Sequence, residues 1–81
     1  MEKLKIKDLQ IGQNAVIAGY EAGDHAYKSK LLSMGLTKNT EIKLLKIAPL
    51  GDPIEIEVRG FHLSLRKDEA GIILLKPGAH N

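Results

Sequence analysis

Alternating apolar and polar residues predict a long β-hairpin in the middle of the chain. Residues 54–58 alternate isoleucine or valine with charged side chains, which is the period of a half-buried strand. Residues 40–44 alternate in the same way, but the next apolar residues fall on the opposite phase. Because a shift of one residue turns the side chains to the other face, the pattern predicts a β-bulge near Leu44 and Leu45.

The connection between the two hairpin strands, residues 48–53, has the sequence APLGDP. Pro49 suits the second position of a type I turn, and Gly51 suits the fourth. Pro53 has no N–H, so it can open a strand but would fit poorly in the middle of one. The segment predicts a stiff turn with Leu50 at or near the tip of the hairpin.

The remaining strands are predicted over three shorter apolar segments, residues 15–20, 61–66 and 72–75. Residues 25–34 carry apolar side chains at helical spacing, and Gly35 supplies the left-handed residue that commonly follows a helix. Asp24 suits the N-cap of this helix. Residues 67–70 predict a single helical turn.

These elements predict a mostly β fold: a small SH3-like barrel of about five strands, with one short α-helix at about 25–34 and a one-turn helix near 67–70. Short strands joined by tight turns close into a barrel more readily than they persist as an open sheet with exposed edges. A chain of 81 residues makes one domain, residues 1–81. We expect about residues 4–76 to be ordered and the tail, 77–81, to fray.

The core is predicted to be aliphatic with one aromatic side chain at its centre. Aromatic residues make up only 4% of the chain. Phe61 shares a strand face with Leu63 and Leu65, so we expect it to be the largest buried side chain.

Composition excludes several classes of protein. The chain has no cysteine, which excludes disulfides, zinc fingers and thiol catalysis. Residues 1–8 alternate charged and aliphatic side chains, unlike a signal peptide. No segment approaches the roughly 18 apolar residues that a membrane-spanning helix needs. We therefore expect a soluble, cytoplasmic protein that does not insert into the membrane.

The net charge of +2, from 12 basic and 10 acidic residues, argues against a nucleic-acid-binding module, which concentrates basic residues on one face. Lys3, Lys5 and Lys7 are expected to form the solvated face of a strand. With Phe61 inward, the chain also lacks an exposed aromatic platform on which single-stranded bases could stack. A small barrel that binds RNA or DNA remains the alternative function.

The three histidines, His25, His62 and His80, do not share the spacing of metal ligands. Ferrous iron sites usually bring two histidines and a carboxylate together, so we predict no metal site and no cofactor.

No arrangement of catalytic residues is evident either. Glu55 and Glu57 lie on the exposed face of a strand. Arg59 and Arg66 lie near strand ends and could be considered as arginine fingers for a GTPase, but ordinary edge charges explain them as well. We predict that the chain is not an enzyme.

Four segments occur in a recognisable order: KLLSMGL at 30–36, TEI at 40–42, APLGDPIEIEVRG at 48–60 and LSLRKDEA at 63–70. Over about residues 4–76 this pattern resembles the FeoA family, the small cytoplasmic proteins of bacterial ferrous iron uptake. One departure is Asn39, where the family often has glycine; asparagine tolerates the same left-handed backbone.

The resemblance implies an SH3-like accessory protein that interacts with FeoB, the membrane GTPase-permease, on its cytoplasmic GTPase side. A similar domain looks like the C-terminal module of iron-dependent repressors, but no helix-turn-helix precedes it here. The resemblance leaves open which surface meets FeoB, whether docking regulates transport or GTPase activity, and whether the chain forms a weak homo-oligomer.

The residues themselves favour the hairpin tip, Pro49, Leu50, Gly51, Asp52 and Pro53, as a candidate partner-binding site. A rigid exposed loop loses little entropy on docking, and an exposed leucine on it could fill a partner pocket. In the alternative, Leu50 folds back and fills a gap beside the helix residues at positions 31 or 34.

Overall fold

Five strands and two helices make up most of the chain in a computed structural model, which describes residues 4–23 and 25–78. The elements in chain order are β1 Asn14–Tyr20, α1 His25–Ser33, β2 Glu41–Ile47, β3 Ile54–Val58, β4 Phe61–Leu65, α2 Lys67–Ala70 and β5 Ile73–Pro77, preceded by a 3₁₀ turn at Ile6–Asp8. Both predicted helices are therefore confirmed, α1 ending one residue earlier than expected.

The strands form one antiparallel sheet in the order β4-β3-β2-β1-β5. The outer side of β5 is partly covered, because the Leu75 N–H donates to the Leu4 carbonyl at 2.8 Å. Among the described residues β4 pairs only with β3, so it is an open edge of the sheet.

The predicted β-bulge lies in β2. Leu44 pairs with Ile56, and Lys46 pairs with Glu55, so Leu45 is an extra residue on the β2 side. The side chains before and after Leu45 consequently keep to the correct faces although the apolar pattern changes phase. This prediction is confirmed.

The core is aliphatic, as predicted. Its largest fully buried side chains are those of Ile6, Ile17, Leu31, Leu36, Ile42, Leu44, Ile56, Leu65 and Ile73. They come from all five strands, from α1 and the connection after it, and from the 3₁₀ turn. Burial of these side chains therefore joins the sheet to its flanking segments.

Phe61 is not part of this core, and the prediction that it would be the largest buried side chain is wrong. Its side chain is 71% exposed. Burial increases along β4, from exposed Phe61 through half-buried Leu63 to fully buried Leu65. Phe61 pairs with Val58 beside the turn that joins β3 to β4. Although Val58 opposite it is buried, Phe61 is the first residue of an edge strand, beside a turn, and its ring is left in solvent.

The chain termini also differ from expectation. From residue 4 onward, the start of the chain is not the predicted strand, because Ile6–Asp8 forms a 3₁₀ turn that buries Ile6. At the other end β5 continues to Pro77, which pairs with Ala15, so the segment predicted to fray is in part paired. Lys3, the predicted N-cap Asp24 and residues 79–81 lie outside the described residues.

The end of α1 has the hydrogen bonds of a Schellman motif. The Leu36 N–H donates to the Leu31 carbonyl and the Gly35 N–H donates to the Leu32 carbonyl, both at 3.0 Å. Gly35 has φ +88°, and Leu31 and Leu36 are both fully buried. The predicted left-handed glycine after the helix is confirmed.

We expect Phe61→Ala to leave the free energy of unfolding within about 1 kcal/mol of the wild-type value, because the ring is already in water. The matched variant Leu65→Ala on the same strand should cost about 2–5 kcal/mol through cavity formation. Urea melts of both variants test this, and a large loss for Phe61→Ala would contradict the assignment of Phe61 to the surface.

Gly35→Val should destabilise the protein by about 1–3 kcal/mol, because a β-branched residue is strained at positive φ. Gly19→Val is the matched control: Gly19 lacks a positive φ, and a Cβ there meets nothing within 4 Å. Equal melting temperatures for the two variants would show that backbone strain at Gly35 is not the cause of the destabilisation.

Candidate partner-binding site

The connection between β2 and β3 is a closed turn. The Gly51 N–H donates to the Ala48 carbonyl at 2.7 Å, and the Ala48 N–H donates to the Pro53 carbonyl at 3.1 Å. Gly51 has φ +83°, and the Asp52–Pro53 peptide bond is cis. We call residues 49–53 the hairpin tip.

Leu50 projects from the hairpin tip into solvent, with its side chain 90% exposed. Pro49 beside it is also exposed. Of the two alternatives for Leu50, the fold-back onto α1 is therefore excluded. Leu31, one of the two residues that the fold-back would have placed beside Leu50, is buried within the core cluster instead.

The hairpin tip is attached to α2 by a side chain. Asp52 Oδ1 accepts the backbone N–H of Lys67, the first residue of α2, at 3.1 Å. This bond satisfies one of the N–H groups that a helix start leaves unpaired. It also restrains the tip, so an interaction made by Leu50 costs little ordering of the loop.

Beside the tip lies a cavity of about 460 Å³. Its apolar lining comes from Ile47, Gly51, Ile54, Ala70, Gly71 and Ile72, and its charged lining from Lys5, Lys7, Lys67 and Asp68. We call it the lysine-rimmed cavity. It is bounded by the N-terminal segment, the β2–β3 hairpin and α2 together.

The three lysines of the rim differ in their contacts. Lys5 Nζ donates to the Gly71 carbonyl at 2.9 Å and forms an ion pair with Glu21 Oε2 at 2.9 Å. Lys7 and Lys67 are exposed, and their ammonium groups make no hydrogen bond or ion pair with any residue that the structure describes. These two are available to an anionic partner.

Glu69 holds α2 in place. Its residue is only 3% exposed, yet its carboxylate is satisfied: Lys30 Nζ donates to Oε2 at 2.6 Å, and the Arg66 N–H donates to Oε1 at 3.0 Å. The hydrogen bond from Lys30, followed by that from the Arg66 backbone, holds the pKa of Glu69 below its ordinary value.

Glu69 was not among the residues that the sequence singled out. A signal existed, because a Glu three residues after the N-cap is half of a capping box. The N-cap here is Arg66, which lacks the side-chain oxygen that completes the usual motif. Its contact with Lys30, 39 positions away, has no counterpart in local sequence.

The candidate metal and arginine-finger residues do not come together. His25 and His62 are exposed, and no group of three or more metal-ligating side chains occurs within 4–23 and 25–78. Arg59 lies against the end of α1, where Nη1 donates to the Gly35 carbonyl at 3.3 Å and Nη2 to Thr40 Oγ1 at 3.4 Å. These contacts give Arg59 a structural role.

The aromatic residues are arranged differently from the prediction. Phe61 was expected to point inward, but it is exposed, so one aromatic ring does face solvent. Tyr20 is half-buried, burial raises its pKa, and its buried hydroxyl has no partner among the described residues. Tyr27 is half-buried on α1. One exposed ring does not make the successive stacking platform that single-stranded nucleic acid requires.

A five-stranded antiparallel sheet with one short helix and a one-turn helix defines a small SH3-like β-domain. The family model of the FeoA domain matches residues 4–77. The chain belongs to the FeoA family of ferrous iron transport, as the resemblance implied.

Among similar proteins is the Fe(2+) transport protein A/Fe(2+) transporter FeoB fusion protein of Porphyromonas gingivalis, 30% identical over 70 residues. The match covers 86% of this chain and only 8% of that protein. The FeoA-like protein of Clostridium acetobutylicum, solved by NMR, is 31% identical with a TM-score of 0.84, covering 100% of this chain and 93% of that one.

A manganese-dependent transcriptional repressor in complex with manganese has a TM-score of 0.83 at 14% identity, covering 93% of this chain and 36% of the repressor. This likeness shows the fold alone. The SH3-like prediction is thus confirmed. Within the described residues no helix is long and apolar enough to cross a bilayer.

We expect Glu69→Gln to lower stability at neutral pH by about 1.5–3 kcal/mol, the range for a hydrogen bond to a charged group. Because folding lowers the pKa of Glu69, its contribution is complete above the ordinary value of about 4.5 and is lost as the pH falls through the folded value. The wild type should therefore lose more stability than the variant below about pH 4.5.

Urea melts between pH 7 and pH 3 measure this difference. Asp68→Asn is the matched control, since Asp68 is exposed on the same helical turn. Parallel pH profiles for wild type and Glu69→Gln would contradict a role for the Glu69 carboxylate in acid stability.

Proposed function

We propose that this chain is a cytoplasmic accessory of ferrous iron uptake, which docks on the cytoplasmic GTPase side of the permease FeoB through the hairpin tip, Pro49 to Pro53. In this proposal the chain contributes a binding surface and no catalysis of its own. We choose this surface because Leu50 is exposed on a loop that is held in place by its own turn hydrogen bonds and by the bond from Asp52 to α2.

The fusion protein of Porphyromonas gingivalis supports FeoB as the partner. That relative carries the names of both proteins in one polypeptide. Covalent linkage gives two modules a local concentration of millimolar order, so an interaction of modest affinity suffices there. Separate chains would need the docking surface to supply that affinity by itself.

Leucine at the tip fits this task for an energetic reason. Burying an exposed leucine side chain in an apolar pocket contributes about 1.5–3 kcal/mol. The turn hydrogen bonds and the Asp52 cap exist before docking, so little of this gain is offset by ordering the loop. A single well-placed apolar anchor of this kind is typical of interface hot spots.

Leu50→Asp should abolish capture of full-length cognate FeoB in phosphatidylcholine nanodiscs, while the melting temperature stays nearly unchanged. A charge on an exposed turn remains hydrated, but in an apolar partner pocket it must lose its water. Affinity capture and circular-dichroism melts of the same preparation measure both properties.

Phe61→Asp is the matched control, because Phe61 is also exposed but lies at the far end of β3 from the tip. It should retain FeoB binding. Unchanged binding by Leu50→Asp would exclude the tip as anchor, and equal loss with both variants would indicate a general effect of the added charge.

A further inference from the structure

The lysine-rimmed cavity adjoins the hairpin tip but has no part in an interaction made by Leu50 alone. We propose that it receives an apolar side chain flanked by carboxylates, presented by an acidic segment of the docking partner. This inference rests on the proposed function, since it names the chemistry of the partner segment that meets the same face of the domain.

The lining of the cavity fits an apolar side chain. Ile47, Ile54 and Ile72 contribute aliphatic surface, and Gly51 and Gly71 contribute positions without side chains. The volume of about 460 Å³ falls within the usual range of about 300–1,000 Å³ for binding pockets. A small hydrated anion would leave this apolar surface in contact with water, whereas an aliphatic side chain would cover it.

The charges of the rim favour a partner side chain that has acidic residues beside it. Lys5 is engaged with Glu21, which leaves Lys7 and Lys67 facing one carboxylate in the lining, Asp68. Asp52 keeps its negative charge although it accepts the Lys67 N–H, but it is not among the residues that line the cavity. Within the lining, the two lysines without an ion pair to a described residue exceed the one carboxylate, so the rim attracts an acidic segment and repels a basic one.

The hairpin tip and the cavity lie side by side, so one partner could contact both. Gly51 lines the cavity, and Leu50 precedes it in the chain and points into solvent. In the complex, Leu50 would enter a pocket of the partner, and the cavity would receive a side chain of the partner. Docking of this kind buries apolar surface on both sides within one small area, with charge pairs at its edge.

The first experiment compares two double variants of equal net charge. Lys7→Glu with Lys67→Glu reverses the rim, and Lys28→Glu with Lys38→Glu reverses two exposed lysines elsewhere. Binding to full-length cognate FeoB in phosphatidylcholine nanodiscs is measured at 50 and 500 mM NaCl. We expect the rim variant to bind at least about tenfold more weakly at low salt and to differ less at high salt, because salt screens exposed charges.

The control variant should bind within about threefold of wild type at both salt concentrations, because it carries the same net charge. Circular-dichroism melts establish that both variants are folded. Equal weakening of the two variants would assign the effect to net charge and overturn the proposal.

The second experiment locates the contact. Isoleucine methyl groups are labelled, and spectra are recorded as unlabelled FeoB nanodiscs are added. We expect the signals of Ile47, Ile54 and Ile72 to shift or broaden, while those of buried Ile17 and Ile42 change little. Binding without a selective change at the three cavity isoleucines would overturn the proposal.

Three further results separate this inference from its alternatives. Loss of binding by the rim variant together with full binding by Leu50→Asp would support the cavity as a contact with FeoB and exclude the hairpin tip as one. No binding of FeoB by the wild type would reject both. The third result is that the rim variant loses binding to empty phosphatidylglycerol nanodiscs while it still binds FeoB. That result would show that the lysines bind lipid headgroups, and it would overturn the proposal of an acidic partner segment.

Discussion

The buried carboxylate of Glu69 is the interaction on which the rest of the candidate site depends. A buried carboxylate is costly unless its oxygens are satisfied, and here a lysine of α1 and the backbone at the start of α2 satisfy them. The position of α2 follows from this. A helix of four residues has too few internal hydrogen bonds to persist without such support.

Once α2 is in place, it determines the surroundings of the hairpin tip. The first N–H of α2 is bonded to Asp52, which restrains the turn carrying Leu50. The same helix supplies one wall of the lysine-rimmed cavity. The tip and the cavity are thus parts of one surface that is assembled by a short helix between β4 and β5. Its apolar and basic character is the basis of the proposed docking surface.

Local sequence predicted much of this fold. The bulge at Leu45 follows from a change of phase, the end of α1 follows from Gly35, and the tip follows from the two prolines around Leu50. Each depends on residues within a few positions of one another, where backbone preferences and side-chain period decide the structure. The errors occur where burial depends on distant segments. Alternation places Phe61 in step with Leu63 and Leu65 but cannot tell that β4 is an edge strand whose first residue is left exposed.

The sequence by itself therefore determined the strands, the helices, the stiff turn that carries Leu50 and the family, but it left the exposure of Leu50 open. Only the tertiary structure decided which polar residues support the site. Glu69 meets Lys30 across 39 positions, and Asp52 meets the start of α2 across 15. The cavity is formed by segments from both ends of the chain. No local pattern encodes such contacts, because they arise when the sheet brings remote residues together and burial requires each polar group to find a partner.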